Sequence, residues 1–292
     1  MKSYAYTGLL MVVSLLFLAS ASAPKKFDYF VFVPSGELFH EDGKSYTSIS
    51  GFFMSSTEVT NAQYRSFLED LEEQGRSEEL ALSQVNQEGW RDGKGYNEPM
   101  VKVYFDHPAY DDYPAVNISY EGAKLYCQWL AEKYNAFHPE TTVEVRLPSP
   151  QEWTYAAKGG HRLAPYPWGG YYVKNAKDCY LLNFNHEKAS SIGEDGGDYT
   201  TTATSYFPND YGLYNMSGNV AEMTDADVAM GGHWFSKSVE EVKTVSQMKI
   251  DGASRYVGFR PLMTIQATRE TNWSNFNPNK TYKKLLRQLE SD

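Results

Sequence analysis

Residues 209–227 read NDYGLYNMSGNVAEMTDAD, a stretch that combines turn formers, small residues and carboxylates too densely for an ordinary helix or strand. Asparagine and glycine tolerate left-handed or turn backbone, so the carbonyl oxygens of such a stretch can converge on one point, where Glu222 would supply charge. Converging oxygen ligands are what a hard cation needs. The alternative is two consecutive surface turns flanking a short apolar strand, and spacing alone leaves both interpretations open.

The composition is that of a globular protein with a sizeable core. The chain has 292 residues, of which 41% are hydrophobic and 15% aromatic, so its length predicts one or two domains. Acidic residues outnumber basic ones by 37 to 27. Because such a surface repels nucleic acid and anionic lipid, we expect neither as a partner.

Residues 1–23 show the three-part pattern of a cleaved secretory signal peptide. Lys2 precedes an apolar run over residues 9–19, and small residues stand at Ala19, Ala21 and Ala23. We therefore expect an exported protein, in the periplasm or at the cell surface, with no transmembrane segment in the mature chain. An uncleaved membrane anchor is the alternative, although the apolar run is short for a membrane span.

The chain has two cysteines, Cys127 and Cys179. No cysteine follows the apolar run before Cys127, so no residue there could carry the lipid of a lipoprotein. In an oxidising compartment the two thiols could form one disulfide, but two free buried thiols are an equally good prediction. Either way, two cysteines do not make a disulfide-stapled scaffold, and the hydrophobic core must stabilise the fold.

Capping signals and apolar spacing predict three helices. The first begins after the Thr60 cap and runs from Asn61 to about Glu73, the second follows the Ser119 cap, and the third follows the Ser149 cap. Short strands are predicted at residues 30–33, 51–54, 115–118 and 143–147. Residues 75–99 have no sustained period, which favours an excursion outside the core.

The chain from residue 167 to residue 260 is rich in Gly, Asn, Asp and Tyr and has little periodicity. We expect a long, ordered and mostly irregular segment. So much loop is costly to order without bound ions or cofactors. Residues 264–292 form a polar C-terminal tail that could extend away from the domain.

An ordered series of motifs now points to a known family. The series is EVTN at 58–61, PAVNIS at 114–119, RLPS at 146–149, EW at 152–153, AAKGG at 156–160, YPWG at 166–169, GLYNMSGNV at 212–220 and GFR at 258–260. It resembles the formylglycine-generating enzyme, or sulfatase-modifying factor, superfamily over roughly residues 30–261. The resemblance implies one α+β domain at residues 24–263, with a C-type-lectin-like fold that is largely irregular and has few helices and short strands. It does not by itself imply catalysis.

The resemblance also implies two structural calcium sites. The first would consist of Asn215, the carbonyl oxygens of Gly218 and Val220, and the carboxylate of Glu222. The second would consist of Asn183, the carbonyl oxygen of Phe184, Asp195 and the carbonyl oxygen of Gly197, with Asp198 as an alternative to Gly197. All are oxygen ligands, which suit calcium better than magnesium in flexible loops. The alternative is that Asn215 and Asp195 only cap turns.

The residues that the family's enzyme uses for catalysis are absent at the matching positions. That enzyme binds copper through two cysteines, the first four residues after a Gly-Gly pair and the second five residues further on. Here Gly231-Gly232 is followed at those positions by Ser236 and Glu241. Copper(I) is soft and needs sulfur ligands, so copper is not expected. The six histidines show no H-x-x-x-H-x-E run that would indicate the iron site of a related branch.

The sequence is most similar to the non-catalytic members of the family found in gliding-motility and type IX secretion machinery, although those are usually lipoproteins. It therefore predicts an exported, calcium-stabilised pseudoenzyme that acts as an interaction or scaffold component of a cell-envelope assembly, with protein partners in that complex. One alternative is a formylglycine-generating-type oxidoreductase acting on a sulfatase cysteine. Another is a carbohydrate-binding module, since some of the 23 tyrosines could stack on sugar rings.

Overall fold

The computed structural model describes residues 29–40, 42–91, 97–137, 142–185 and 197–266. Within them the chain forms helices α1 (Asn61–Glu73), α2 (Ser77–Ser83), α3 (Glu98–Val103), α4 (Tyr120–Phe137) and α5 (Pro150–Ala157). The strands are β1 (Phe30–Val33), β2 (Gly36–Phe39), β3 (Tyr46–Ile49), β4 (Phe52–Ser55), β5 (Thr142–Arg146), β6 (Ala221–Met223), β7 (Val228–Met230), β8 (Gln247–Lys249), β9 (Val257–Gly258) and β10 (Leu262–Gln266). The predicted signal peptide and most of the predicted tail lie outside the described residues.

The described strands form three small sheets. The central sheet is antiparallel, with the strand order β1-β4-β10-β5. Strands β2 and β3 form a separate hairpin, and the third sheet has the order β8-β7-β6-β9, in which β6 and β9 run parallel. The expected partnership of β1 with the strand at 52–54 is confirmed, with Phe30 opposite Ser55 and Val33 opposite Phe52.

The three predicted helices are confirmed, together with their caps. In α1 the Thr60 hydroxyl accepts from the Gln63 N–H, and the Gln63 side chain accepts from the Thr60 N–H, so both bonds of the capping box are present. The Ser149 hydroxyl caps α5 in the same way, and the Ser119 hydroxyl accepts from the Gly122 N–H at the start of α4. These helix starts depend on local contacts, which is why the sequence predicted them well.

The central sheet separates the two largest apolar clusters of the core. On one face Phe53 of β4 joins the aromatic residues of α1 and α4, where Tyr64 and Tyr126 stack with their ring centroids 5.8 Å apart. On the other face Phe52 of β4 packs in one cluster with Trp153 of α5. Neighbouring residues of a strand point to opposite faces, so β4 serves both clusters and fixes α5 opposite α1 and α4.

Two predictions about the first half of the chain are wrong. Residues 115–118 form no strand, because Asn117 adopts a left-handed backbone with φ 59°. The described part of residues 75–99 is not an excursion outside the core, because it contains α2 and carries Trp90, which is only 2% exposed. The periodicity failed here because this described part consists of short helical turns, each too short to show a pattern.

The cysteines do not bridge: Cys127 is buried in α4 and Cys179 is exposed, and both are free. The segment expected at residues 167–260 is mostly irregular, since its described parts contain no helix and only the short strands β6 to β9. No helix in the described part of the chain is long and apolar enough to cross a membrane.

Candidate functional site

The loop after β7 contains Ser236 and Glu241, the two positions that the resemblance matches to the copper-binding cysteines of the family's enzyme. Gly231 and Gly232 both have left-handed backbone, with φ 86° and 71°. A Cβ atom on Gly232 would lie 2.3 Å from the carbonyl oxygen of Glu241, so only glycine permits this close approach. The Gly-Gly pair therefore brings the backbone of Glu241 back against the start of the loop that contains Ser236.

Both replacement side chains hold this loop together. Ser236 is buried, and its hydroxyl accepts from the His233 N–H at 3.1 Å. Glu241 is exposed, and its two carboxylate oxygens accept from the Lys237 N–H at 3.0 Å and from the Ser238 hydroxyl at 3.3 Å. The loop thus carries a hydroxyl and a carboxylate in place of two thiolates, and both are engaged in local hydrogen bonds.

His233 lies in the same loop with its ring against Tyr256, 4.7 Å between centroids. Its Nδ1 accepts from the Phe235 N–H, which fixes the ring. Burial lowers the pKa of His233 to about 4, Glu241 opposes this shift and Lys237 adds to it. The imidazole is therefore neutral at physiological pH.

Aromatic side chains fill the space beneath the loop. Trp234 is buried between Trp90 and Tyr256, and its Nε1 donates to the carbonyl oxygen of Arg255. The Arg255 guanidinium lies over the rings of Trp234 and Tyr256 and donates to the carbonyl oxygen of Trp90. Trp90 was not identified from the sequence, because it belongs to the segment that was expected outside the core.

A second site is a cluster of buried charges at β6, where Glu222 of this strand forms an ion pair with Arg260. Arg260 Nη2 donates to Glu222 Oε1 and Arg260 Nε to Oε2, each at 2.6 Å, and both side chains are fully buried. Trp153 Nε1 also donates to Glu222 Oε2 at 2.6 Å. The carboxylate predicted as a calcium ligand is therefore also the anchor of a guanidinium and an indole.

Glu58 is a further carboxylate of this cluster that sequence reasoning did not assign, although it opens the EVTN motif. It is fully buried, and it accepts from the side-chain amides of Asn215, at 3.2 Å, and Asn219, at 2.9 Å. Burial raises the pKa of Glu58 to about 7, Arg260 opposes this shift, and Glu222 adds to it. One guanidinium thus faces two carboxylates.

The structure brings residues of the two predicted calcium sites close together. A Cβ atom on Gly218 would lie 2.3 Å from the carbonyl oxygen of Asn183, which also accepts from the Asn219 N–H. Gly197 lies on the other side of Asn183, with its ideal Cβ position 3.3 Å from Asn183 Nδ2. The first and second sites therefore adjoin each other at Asn183.

The other predicted ligands are placed as follows. The side chains of Phe184 and Val220 are both buried in apolar clusters, which leaves only their backbone carbonyls for an ion. Asp198 is exposed, and Asp195 lies outside the described residues. Within the described residues, no group of three His, Cys, Asp or Glu side chains is placed to hold a metal ion.

Two side-chain oxygens predicted as ligands accept no hydrogen bond within the part of the chain that the structure describes. Asn183 Oδ1 and Asn215 Oδ1 are both buried, and no described residue donates to either. Their amide nitrogens are engaged, Asn183 Nδ2 with the carbonyl oxygen of Tyr199 and Asn215 Nδ2 with that of Ala203. Buried acceptors without partners are uncommon in native proteins, so these two oxygens fit a cation that would complete them.

Known proteins are similar to this chain in sequence. A family model described as sulfatase-modifying factor enzyme 1-like domain matches residues 18–265. The formylglycine-generating enzyme of Mus musculus is 29% identical over 205 residues, which cover 61% of this chain but only 49% of that protein. The inactive C-alpha-formylglycine-generating enzyme 2 of Mus musculus is 27% identical over 237 residues, 69% of this chain and 71% of that protein.

Solved structures share the fold. The crystal structure of CarF superposes with a TM-score of 0.55 at 19% identity and covers 82% of this chain and 98% of that one. PvdO from Pseudomonas aeruginosa gives a TM-score of 0.54 at 18% identity, with 80% and 93% covered. At these identities the likeness shows the fold alone, and it confirms the expected α+β architecture with few helices and short strands.

Proposed function

Because the chain belongs to the sulfatase-modifying factor enzyme 1-like domain family, we propose that it is a non-catalytic member that works as an interaction or scaffold component. The observation that carries this proposal is the loop after β7, where Ser236 and Glu241 replace the copper-binding cysteines and hold the loop by hydrogen bonds. Neither side chain offers the sulfur that copper(I) needs. The two cysteines elsewhere give no substitute, since burial raises the pKa of the Cys127 thiol and Cys179 lies in another loop.

Copper(I) titration and turnover test the absence of catalysis. The purified protein should bind no stoichiometric copper(I), and it should leave a Cys-x-Pro-x-Arg peptide unmodified in the presence of copper and a reductant. The matched comparison is the double variant Ser236→Cys with Glu241→Cys, which restores both sulfur positions and should gain copper(I) affinity. Tight copper(I) binding or peptide oxidation by the unaltered protein would favour the oxidoreductase alternative instead.

We further propose that the protein acts outside the cytoplasm, as part of a cell-envelope assembly of the gliding-motility or type IX secretion kind. The support is the signal-peptide pattern of residues 1–23 and the resemblance of the motif series to non-catalytic members of the family. A relative named as an inactive formylglycine-generating enzyme agrees with a non-catalytic role. Fractionation of the source cells, with sequencing of the mature amino terminus, tests both export and cleavage.

Calcium is the proposed structural ion of this function. Asn183 Oδ1 and Asn215 Oδ1 support it, because they are buried acceptors without a described donor. Glu222 would share its carboxylate between calcium and Arg260, which a carboxylate can do because its two oxygens accept several bonds. A rigid scaffold needs its irregular segment ordered, and an ion that binds only the folded state would provide that order.

A further inference from the structure

A groove of about 460 Å³ runs between helix α4 and strand β5. The helix contributes Tyr120, Lys124, Gln128 and Ala131, whose spacing of three or four places them on one face. Residues 143–147 form the opposite wall, and Asp225 closes the end near Tyr120. The groove is therefore bounded on one side by a helix face and on the other by a strand.

Strand β5 is the edge of the central sheet, since β10 is its only partner among the described strands. On the edge of β5 that faces away from β10, Asn135 occupies the backbone hydrogen-bonding groups of Val143. Its side chain accepts from the Val143 N–H at 2.8 Å and donates to the Val143 carbonyl at 3.0 Å. Backbone groups two residues apart in a strand point the same way. Val145 therefore presents its N–H and C=O toward the groove, and no described residue bonds to them there.

The charges along the groove favour a basic ligand. Both cations at its walls already have acidic partners: Lys124 pairs with Glu121 at 2.9 Å, and Arg146 pairs with Glu152 at 2.7 Å. Asp225 is exposed, lines the groove and forms no ion pair with any described residue. The chain as a whole carries a formal net charge of −10, which adds to the attraction for a cation.

We propose that this groove binds an extended, basic peptide segment of a partner protein, which adds as a strand to β5. The backbone of the bound peptide would form hydrogen bonds with the N–H and C=O of Val145, and a lysine or arginine of the peptide would form an ion pair with Asp225. Strand addition of this kind draws affinity from main-chain hydrogen bonds and specificity from the side-chain pockets beside them. The inference rests on the proposed interaction role and names the chemistry of the partner.

A capped hexapeptide of alternating valine and lysine is the probe, added to the full chain. It should bind about tenfold more tightly than the matching peptide of valine and glutamate, because the groove's unpaired charge is acidic. Hydrogen exchange at the Val145 amide should slow when the peptide binds. The same lysine peptide, N-methylated on every amide, should not bind, since it cannot donate backbone hydrogen bonds.

Two variants locate the binding. Asp225→Lys should weaken binding of the lysine peptide by about tenfold and strengthen that of the glutamate peptide, whereas Gln128→Trp should block both by filling the groove. The matched control is Asp251→Lys, which makes the same charge change at an exposed site that does not line the groove. Equal effects of the two lysine substitutions would show only a general charge effect and would overturn the proposal.

Three further outcomes would also overturn it. They are unchanged binding of the N-methylated peptide, no change in exchange at Val145, and a Val145 amide already protected in the peptide-free full chain. The last would show that another part of the protein already covers this edge. Failure here remains separate from failure of the proposed function, because copper binding and peptide oxidation are measured at the loop of Ser236 and do not depend on the groove.

Discussion

Arg260 is the cation on which the buried charges of this protein depend. It forms two hydrogen bonds with Glu222 and lies close enough to Glu58 to oppose the rise of its pKa that burial causes, and all three side chains are buried. Removing one partner of a buried ion pair leaves the other charge without compensation, which costs far more than the pair itself contributes. The stability of the domain should therefore depend on this single guanidinium.

We expect Arg260→Met to lower the free energy of unfolding by about 3–5 kcal/mol, as measured by urea denaturation. The control is Lys249→Met, which removes the exposed ion pair with Asp251 and should have little effect. If Arg260→Met proves too unstable to purify, the double variant with Glu222→Leu removes both charges and should recover part of the loss. A single-variant cost as small as that of Lys249→Met would mean that the buried pair is not coupled to folding.

At this scale the sequence did not predict how the buried charges pair. Glu222 was predicted as a calcium ligand, and Arg260 stood only in the GFR motif, so nothing in the sequence indicated that the two side chains touch. Glu58 belongs to the same cluster of buried charges although it lies 157 residues before Asn215, its hydrogen-bond partner. Such contacts depend on how β6, β9 and the segment before α1 come together, which local patterns do not encode.

At the scale of elements, the predictions succeeded where a local signal sets the structure. Helices α1 and α5 begin at capping boxes, and both start at the predicted residue. The strand predicted at residues 115–118 failed because Asn117 takes a left-handed backbone that alternation of apolar residues cannot reveal. Strands β6 to β9 were missed as well, since pieces of two or three residues are too short to show a period of two.

Helix α5 gives the prediction at this scale, because its Trp153 joins the core to the buried charges. The indole is fully buried, and its Nε1 donates to Glu222. Trp153→Ala should lower the free energy of unfolding by about 3–5 kcal/mol, through lost packing and a cavity. Trp153→Phe keeps an aromatic ring and should cost less than Trp153→Ala, and the cost that remains reports the lost bond to Glu222 together with the smaller ring.

The matched control for that pair is Trp168→Ala. Trp168 is only half-buried, and its Nε1 donates to the carbonyl oxygen of Tyr172 in an exposed loop. Its truncation should lower the thermal midpoint less than truncation of Trp153 does. Equal midpoints for Trp153→Ala and the unaltered protein would mean that α5 lies outside the cooperative core, and the assignment of the EW motif to the family would then fail with it.

At the scale of the whole molecule, the described parts of residues 158–220 are ordered by turns rather than by regular elements. Left-handed backbone at Asn215, Gly218 and Asn219 lets this stretch fold back against Asn183, whose carbonyl accepts from the Asn219 N–H. Earlier in the chain, the side chain of Asn209 donates to the carbonyl oxygen of Ala156 at the end of α5. Hydrogen bonds of asparagine residues, rather than those of helices and sheets, thus hold this segment to the core.

A chain ordered in this way should respond strongly to a bound ion. If calcium binds at Asn183 and Asn215, it stabilises the folded state by mass action, by about 2.7 kcal/mol when its concentration is 100 times the dissociation constant. The melting temperature should therefore rise with added calcium and fall with a chelator. Magnesium should do less, because these loops do not offer the octahedral geometry that it demands.

Substitutions at the two unpartnered oxygens distinguish calcium from a general effect of salt. Asn215→Ala and Asn183→Ala should each lower the calcium-dependent rise in melting temperature, and elemental analysis should show less bound calcium than in the unaltered protein. Asn175→Ala is the control, because its side chain only caps an exposed turn. That variant should respond to calcium as the unaltered protein does, although its own stability falls slightly with the lost cap. Identical melting curves with calcium and with chelator, and no metal in the purified protein, would leave Asn183 and Asn215 as turn residues only and remove calcium from the account of this fold.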